Sequence, residues 1–490
     1  DVMKELPGLR HPMDLPDARQ YTSFWWYGGE QKCFGFVLSP KEGARLRALI
    51  KQQDREGKPP VRVRARVESR FWDGEINVVS ALIPGQTEEE VVLLAHLCHP
   101  QGAANDNASG SATVLEAARV LQALISSGTL DRPRRGIRFL LVPEMMGFAA
   151  YLAHNEELIP HMVAALNLDM VGEDQALCGS ILTIERAPGA LANYADDLVL
   201  RLVEETSSGA ANYAGLEGQS TSQHAVAPFS GGSDHCLLVD PSVGVPCPML
   251  NQWPDKFYHT SADTLDKVDP ITLARAGTIA TTYAYFLANA QSKEAAWLVE
   301  EVLSRFKAEV LKCLRDAMTH SDEDQSAQKG SQPVAKRVDF LLQRSERALA
   351  SLRRLGEIEV SPCQQEAKSF AKGELARVER LISEPRREPP DDRWEREAAT
   401  IVPSRVCPGP IDLKNFTNRM SDEEYETWWR VYKADPEGTY VYPAMLLYWA
   451  DGHRNVSEIS DLIELETGKR VTELLVTCCR LWERLKLVKL

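Results

Sequence analysis

Five short segments collect the residues able to do chemistry: HLCHPQGAANDNASG (96–110), PEMMG (143–147), NLDMVG (167–172), GGSDH (231–235) and DKFYHTSADT (255–264). Between them they supply imidazoles, carboxylates and a thiol, donors that suit a borderline cation such as Zn2+. A carboxylate standing between two imidazole-bearing half-sites is how a protein sets two cations close enough to share a water, so these residues in one place point to metal-assisted hydrolysis. No G-x-S-x-G elbow or Ser-His-Asp order competes, and Cys98 lacks any sign of a separate thiol apparatus. His235 in GGSDH is read as a pocket-wall residue together with Ser233, Asp234 and Tyr258, while His11, His154, His161, His224, His320 and His453 lack partnered spacing and receive no role.

To meet, the five segments need a common scaffold. VVLLAH, IRFLLVPE, VAALNLDMVG and CPMLNQW read as strands, and residues 110–126 and 270–291 have helical spacing. The pattern predicts an α/β domain over 91–292, a mixed sheet flanked by helices, with the polar segments following the strands where such sheets place their sites. Ahead of it lie an N-terminal segment (1–20) and a small β-rich unit (21–90), suggested by the alternation in CFGFVLS, VRVRARVESRFW and EINVVSALIPG, with a helix near 41–53. After it come a helical arm and linker (293–405), then a C-terminal unit (406–490) of short helices resembling a winged-helix domain, with Ser421 and Ser457 read as helix caps. The helix over 455–468 that would enter a nucleic-acid groove carries Glu458, Asp461, Glu464 and Glu466, so packing against protein is its better use. Trp428, Trp429, Tyr432, Tyr440, Tyr442, Tyr448, Trp449 and Trp482 enrich this unit in aromatic surface suited to packing on the body or on a second chain, as in a homo-oligomer.

The 490 residues allow about three domains, and 44% apolar with 26% charged residues excludes disordered, collagen-like and coiled-coil classes. The net charge of −14 makes nucleic acid a poor partner, and the longest apolar runs fall far short of the roughly 18 residues that span a bilayer. No secretory h-region is visible in DVMKELPGLRHP, and the ten cysteines are scattered without a CxxC pair, the usage of a reduced, cytoplasmic protein.

Taken together, the segments resemble the zinc-dependent aminopeptidase family that includes bacterial leucyl aminopeptidase and glutaminyl cyclase, and within it a branch with a small β insertion and a C-terminal winged-helix-like domain. The resemblance is strong from His96 to about Pro270 and rests on a His after a strand, an Asp in an N-D-N-x-S-G-like loop, a Glu pair before a Gly, L-D-M-x-G and Y-H-T-x-x-D-T. It implies that His96, Asp106 and Asp169 ligate one metal, that Asp106 bridges to a second bound by His259, and that Glu144, aligned on Gly147, is the catalytic carboxylate. Asp263 is placed to accept the other N–H of the His259 ring.

Three departures bear on the metals. The family's second Glu, a ligand beside His259, is Met145 here, and a thioether is a poor zinc ligand. The acid that normally follows the first His by two is Cys98, and an extra imidazole, His99, comes next. His99 or Cys98 completes the weaker site, or the protein holds a single Zn2+; His99 alone could equally bond a carbonyl in the turn before Pro100. The resemblance therefore implies an aminopeptidase with one or two Zn2+ acting on a peptide or peptide-like small molecule. The alternatives are a hydrolysis-deficient homologue kept for binding or assembly, motivated by Met145, and a single-zinc cyclase-type acyl transferase.

Overall fold

EVVLLAH (Glu90–His96) is apolar on both faces, and all seven of its residues are buried, the pattern of a strand covered from both sides. In the computed structural model, which describes residues 8–21, 34–70, 72–100, 102–211, 218–220, 222–319, 332–378, 380, 392–411, 419–434 and 441–490, it lies inside a seven-stranded sheet. The strands are β1 (Val79–Ile83), β2 (Glu90–His96), β3 (Gly136–Val142), β4 (Met162–Leu168), β5 (Ile181–Glu185), a separate hairpin of β6 (Ser208–Ala211) and β7 (Gly218–Ser220), then β8 (His224–Ala227) and β9 (Met249–Trp253). The order across the sheet is β1-β3-β2-β4-β9-β5-β8. β2 runs parallel to β3 and β4, and β4 parallel to β9, whereas β1 and β5 are antiparallel to β3 and β9, so the sheet is mixed as expected.

Alternate residues of the strands serve two cores. Val91, Leu93, Ile137 and Leu166 join Val114 and Leu121 of helix Gly110–Ser126, Leu198 of Tyr194–Ser207 and Ile279 and Tyr283 of Pro270–Asn289. On the opposite face Val92, Leu94, Leu140 and Val142 enter a cluster with Phe148, Phe229, Leu238 and Val239 that extends to Trp428, Met445, Trp449, Ile459, Leu475 and Trp482 of the C-terminal helices. Trp428, Tyr442, Trp449 and Trp482 are thus buried in a cluster continuous with the body of the same chain, while Trp429 is 40% exposed.

Three helices form the arm, Ser292–Thr319, Val334–Ser351 and Ser361–Val378, packed through Leu303, Phe306, Leu314, Val338 and Ala367. A charge cluster fixes the arm to the sheet domain: Arg186 pairs with Glu309 at 2.6 Å, Arg305 with Glu204 at 2.7 Å, and Arg344 lies 3.9 Å from Asp196. Burial pushes the Asp196 carboxyl up to about 7, against the pull of Arg344 and Arg186.

The C-terminal unit comprises helices Asp422–Ala434, Val441–Trp449, Val456–Thr467 and Thr472–Arg484, with strand β10 (Ser404–Arg405) paired to β11 (Val488–Lys489). Acids of Val456–Thr467 face protein: Asp461 reaches Lys336 and Arg470, each at 2.6 Å, and Glu466 accepts the Gly189 N–H at 2.9 Å. Ser421 caps its helix reciprocally with Glu424, as read from sequence; the other cap is Asn455 with Glu458, two residues before Ser457, because the amide oxygen reaches the Glu458 N–H at 2.9 Å.

The β-rich unit read over 21–90 is not what the described residues form. Helix Pro40–Arg55, capped by Ser39 and Glu42, is present, but the described residues between 58 and 78 contain no strand, and 79–83 join the main sheet as its edge β1. Alternation gives a chain one apolar side but not a partner edge, and here Val63, Trp72 and Ile76 stay exposed. Residues 22–33, most of the polar loop 319–333, the linker residues 385–391 and Tyr440 lie outside the described residues. Among the described residues, no helix is long and apolar enough to cross a membrane.

Candidate metal centre

The polar segments leave the carboxyl ends of neighbouring parallel strands, at the same edge of the sheet. His96 is the last residue of β2, Glu144 follows β3 by two residues, Asp169 follows β4 directly, and His259 lies in the loop after β9. Asn105, Asn107 and Ser109 tie the Asp106 loop to the Asp169 segment: Asn107 Oδ1 accepts the Gly110 and Met170 N–H groups, both at 3.0 Å, Ser109 Oγ accepts that of Val171, and Asn105 Oδ1 that of Gly172. A Cβ at Gly110 would stand 2.1 Å from the Leu168 carbonyl oxygen, so only glycine lets the helix start so close to β4. The Asp106–Asn107 peptide is cis. Met145, Met170 and His259, each beside a functional side chain, adopt left-handed backbone angles (φ 61°, 60° and 55°), strain of the kind stored where geometry matters for function.

Asp106 sits at the centre. Its Oδ1 is 3.3 Å from His96 Nε2 and 2.9 Å from His99 Nδ1, and its Oδ2 is 2.9 Å from His259 Nε2. Asp169 Oδ1 lies 3.3 Å from His96 Nε2. Two three-donor groups, His96–Asp106–Asp169 and His99–Asp106–His259, share the Asp106 carboxylate, and a further group brings Cys98 and Glu144 together with His96 and His99. His96 Nε2, Asp106 Oδ1 and Asp169 Oδ1 are buried without a hydrogen-bond partner, converging at distances and with a donor chemistry that fit a divalent cation. Burial works against the Asp106 charge, but His259, His96 and His99 hold its carboxyl well below the usual range; burial likewise opposes charging His99, yet Asp106 and Glu144 lift it to about 10.

Around this core Glu144 Oε2 lies 3.3 Å from His99 Nε2, with its carboxylate about a quarter exposed at the edge of the cleft. Cys98 Sγ accepts the Glu144 N–H at 3.2 Å and lies 3.8 Å from His96 Nδ1. Met145 turns its sulfur to Cys236, 3.8 Å away, while Asp234 Oδ1 accepts its N–H at 2.7 Å. Tyr258 stacks on the His259 ring at 3.7 Å. Ser233 Oγ accepts from Asn167, and His235, fully buried, pairs with Glu185 at 2.6 Å, so neither joins the donor groups. Asp263 departs from expectation: its two oxygens accept the N–H groups of Asn105 (2.8 Å) and Asp106 (3.0 Å), so it shapes the Asp106 loop rather than orienting His259. Tyr21 carries no sequence signal, yet its hydroxyl lies 3.0 Å from His99 Nδ1; the backbone pairing of Gln20 with Thr260 brings it there.

The family model described as domain of unknown function (DUF4910) matches residues 32–289, more than half of the chain. The chain belongs to that family. Among curated proteins, this DUF4910 chain is 28% identical over 202 residues to a Clostridium acetobutylicum protein whose name pairs polysaccharide biosynthesis with an aminopeptidase-like domain; the match covers 41% of this chain and 40% of that protein. It is 30% identical over 225 residues to a protein of Arthroderma otae named as a probable leucine aminopeptidase, covering 43% of this chain and 57% of the other. The DUF4910 chain thus spans about half the length of these aminopeptidase-like relatives. A crystal structure from Clostridium acetobutylicum, described as that of a putative peptidase, aligns with a TM-score of 0.42 at 22% identity, covering 59% of this chain and 57% of that one.

Proposed function

We propose that the protein is a zinc-dependent amide hydrolase of the aminopeptidase kind, acting on the N-terminal bond of a peptide or peptide-like small molecule. The observation that carries this reading is the Asp106 carboxylate standing between two three-donor groups at the carboxyl edge of the sheet. His96 and Asp169 would hold one Zn2+ and His99 and His259 a second, with Asp106 shared. Bound there, zinc supplies a Lewis acid for the scissile carbonyl and an acidified water.

The chain's own residues do the rest. Glu144, reaching the cleft beside His99, accepts the proton of the attacking water and returns it to the leaving amine. The Tyr258 ring, stacked on His259, fixes the plane in which that imidazole presents Nε2, and Asp263 fixes the backbone from which Asp106 projects. Cys98, between His96 and the Glu144 backbone, couples the position of the base to that of the first imidazole.

A reading as a hydrolysis-deficient binding protein rested on Met145. His99 weakens it by supplying a third donor beside His259, so the loss of one acid does not leave that group short. The deciding experiment measures zinc per chain alongside hydrolysis of a panel of aminoacyl chromophores, with chelation and zinc add-back. Turnover lost on chelation and restored by zinc is expected; a folded, metal-free and inert protein would overturn the proposal.

A further inference from the structure

Outside the centre just described, a second group of donors lies wholly inside the protein. Glu173 ends the segment that begins at Asp169, Cys178 closes the short helix Gln175–Cys178, and Asp255 opens the loop that leads to His259. They are 1%, 0% and 0% exposed, and their ligand atoms all lie within 4.8 Å of one another. We propose that Glu173, Cys178 and Asp255 form a structural zinc site that clamps the Asp169 segment to the His259 loop.

Acids and a thiol side by side are not in themselves a site; the unanswered polar atoms are the independent observation. Asp255 Oδ1 accepts the Phe257 N–H at 2.6 Å, but Asp255 Oδ2 and Glu173 Oε2 are buried with no hydrogen-bond partner. Water is shut out on the Cys178 side by Leu15, Ala18 and Phe257. The buried Arg10 guanidinium donates through Nη1 to the carbonyls of Lys256 and Tyr258, and its charge acts on the Asp255 carboxylate. Burial and the adjoining Asp255 carboxyl push Glu173 up to about 11, so without a cation this place holds protons.

A shared proton would join the two carboxyl groups, and the Cys178 thiol has a long contact to the Lys267 carbonyl at 3.8 Å, but neither accounts for three ligand atoms converging within 4.8 Å of one another. A cation answers all three. Thiolate with carboxylate selects zinc over the hard cations, and binding would release the protons that burial retains. Structural zinc takes four ligands, and the buried Ser180 hydroxyl, which faces the Glu173 carboxyl, offers a further oxygen. The site goes beyond the proposed hydrolysis, since none of its residues belongs to the catalytic groups.

Elemental analysis of full-length protein tests it, with cobalt(II) substitution as the second measurement. Cys178→Ser should lose one equivalent of zinc relative to wild type. The cobalt form of Cys98→Ser, which lacks the other thiol near a donor group, should still show thiolate-to-cobalt charge-transfer absorption in the near ultraviolet, and Cys178→Ser should not. Zinc content equal in wild type and Cys178→Ser, or cobalt-loaded Cys98→Ser without that absorption, would overturn the site and leave a carboxyl pair sharing a proton. The cobalt spectrum of Cys98→Ser decides the matter even if Cys178→Ser fails to fold.

Discussion

His99 Nδ1 lies 2.9 Å from Asp106 Oδ1, and the other oxygen of that carboxylate lies equally close to His259 Nε2. His99 Nδ1 also lies 3.1 Å from the Asp106 carbonyl oxygen, so the same nitrogen faces both a backbone acceptor and the His99–Asp106–His259 donor group. His99→Ala should lower bound zinc by about one equivalent per chain, with loss of turnover, while the His96–Asp106–Asp169 group keeps its ion. Elemental analysis checks this; an unchanged zinc content would remove His99 from the ligand set.

Met145→Glu tests the same point from the other side. With His99 in place, an added carboxylate brings negative charge close to Glu144 and Asp234, whose carboxylate already holds the residue 145 N–H. The variant should gain no zinc and should turn over more slowly. A gain of one equivalent together with faster hydrolysis would mean that His99 is not a ligand.

Glu144→Gln keeps shape while removing the base. Zinc should stay bound while kcat falls by roughly 10² to 10⁴. Loss of zinc in this variant would assign Glu144 to the ligands and send the search for the base elsewhere.

Asp196 gives stability a pH dependence of known sign. Its carboxyl is raised to about 7 in the fold, against about 3.9 in an unfolded chain, so the folded state keeps a proton that the unfolded state gives up. Its contribution is whole below about pH 4 and is lost as pH rises through 7. Asp196→Asn cannot ionise, so its Tm relative to wild type should climb across that window. Tm curves that run parallel would contradict the assignment.

Trp482, 1% exposed, lies in the core shared by the sheet and the C-terminal helices. Trp482→Ala should cost about 3–5 kcal/mol by denaturant unfolding, the range for large aromatic truncations in a packed core. A loss under about 1 kcal/mol would show that the C-terminal unit is a loose appendage.

Much of the site was legible because its residues sit at strand ends and strand ends are marked by periodicity. The buried runs before His96, Glu144 and Asp169 placed all three at one edge of a sheet without any knowledge of contacts. What escaped were relations that depend on pairing. Tyr21 reaches the centre only because Gln20 pairs with Thr260, and Asp263 turned to the Asn105 and Asp106 amides because the loop crosses there, neither of which leaves a local pattern. The Val-Arg alternation after residue 60 misled for the converse reason, since a strand-like period says nothing about whether a partner edge exists.

Because the cluster that begins at Val92, Leu94, Leu140 and Val142 is completed by residues 441–482, the order of synthesis sets a problem for the nascent chain. The strands emerge from the ribosome some three hundred residues before the helices that complete the cluster, and at ordinary elongation rates that delay is on the order of tens of seconds. During it the apolar residues that meet those helices stand open to other nascent chains. Expression should therefore respond to holdase chaperones and to slower growth temperature more strongly than the finished protein's stability would suggest, and fragments cut before residue 441 should accumulate as aggregates.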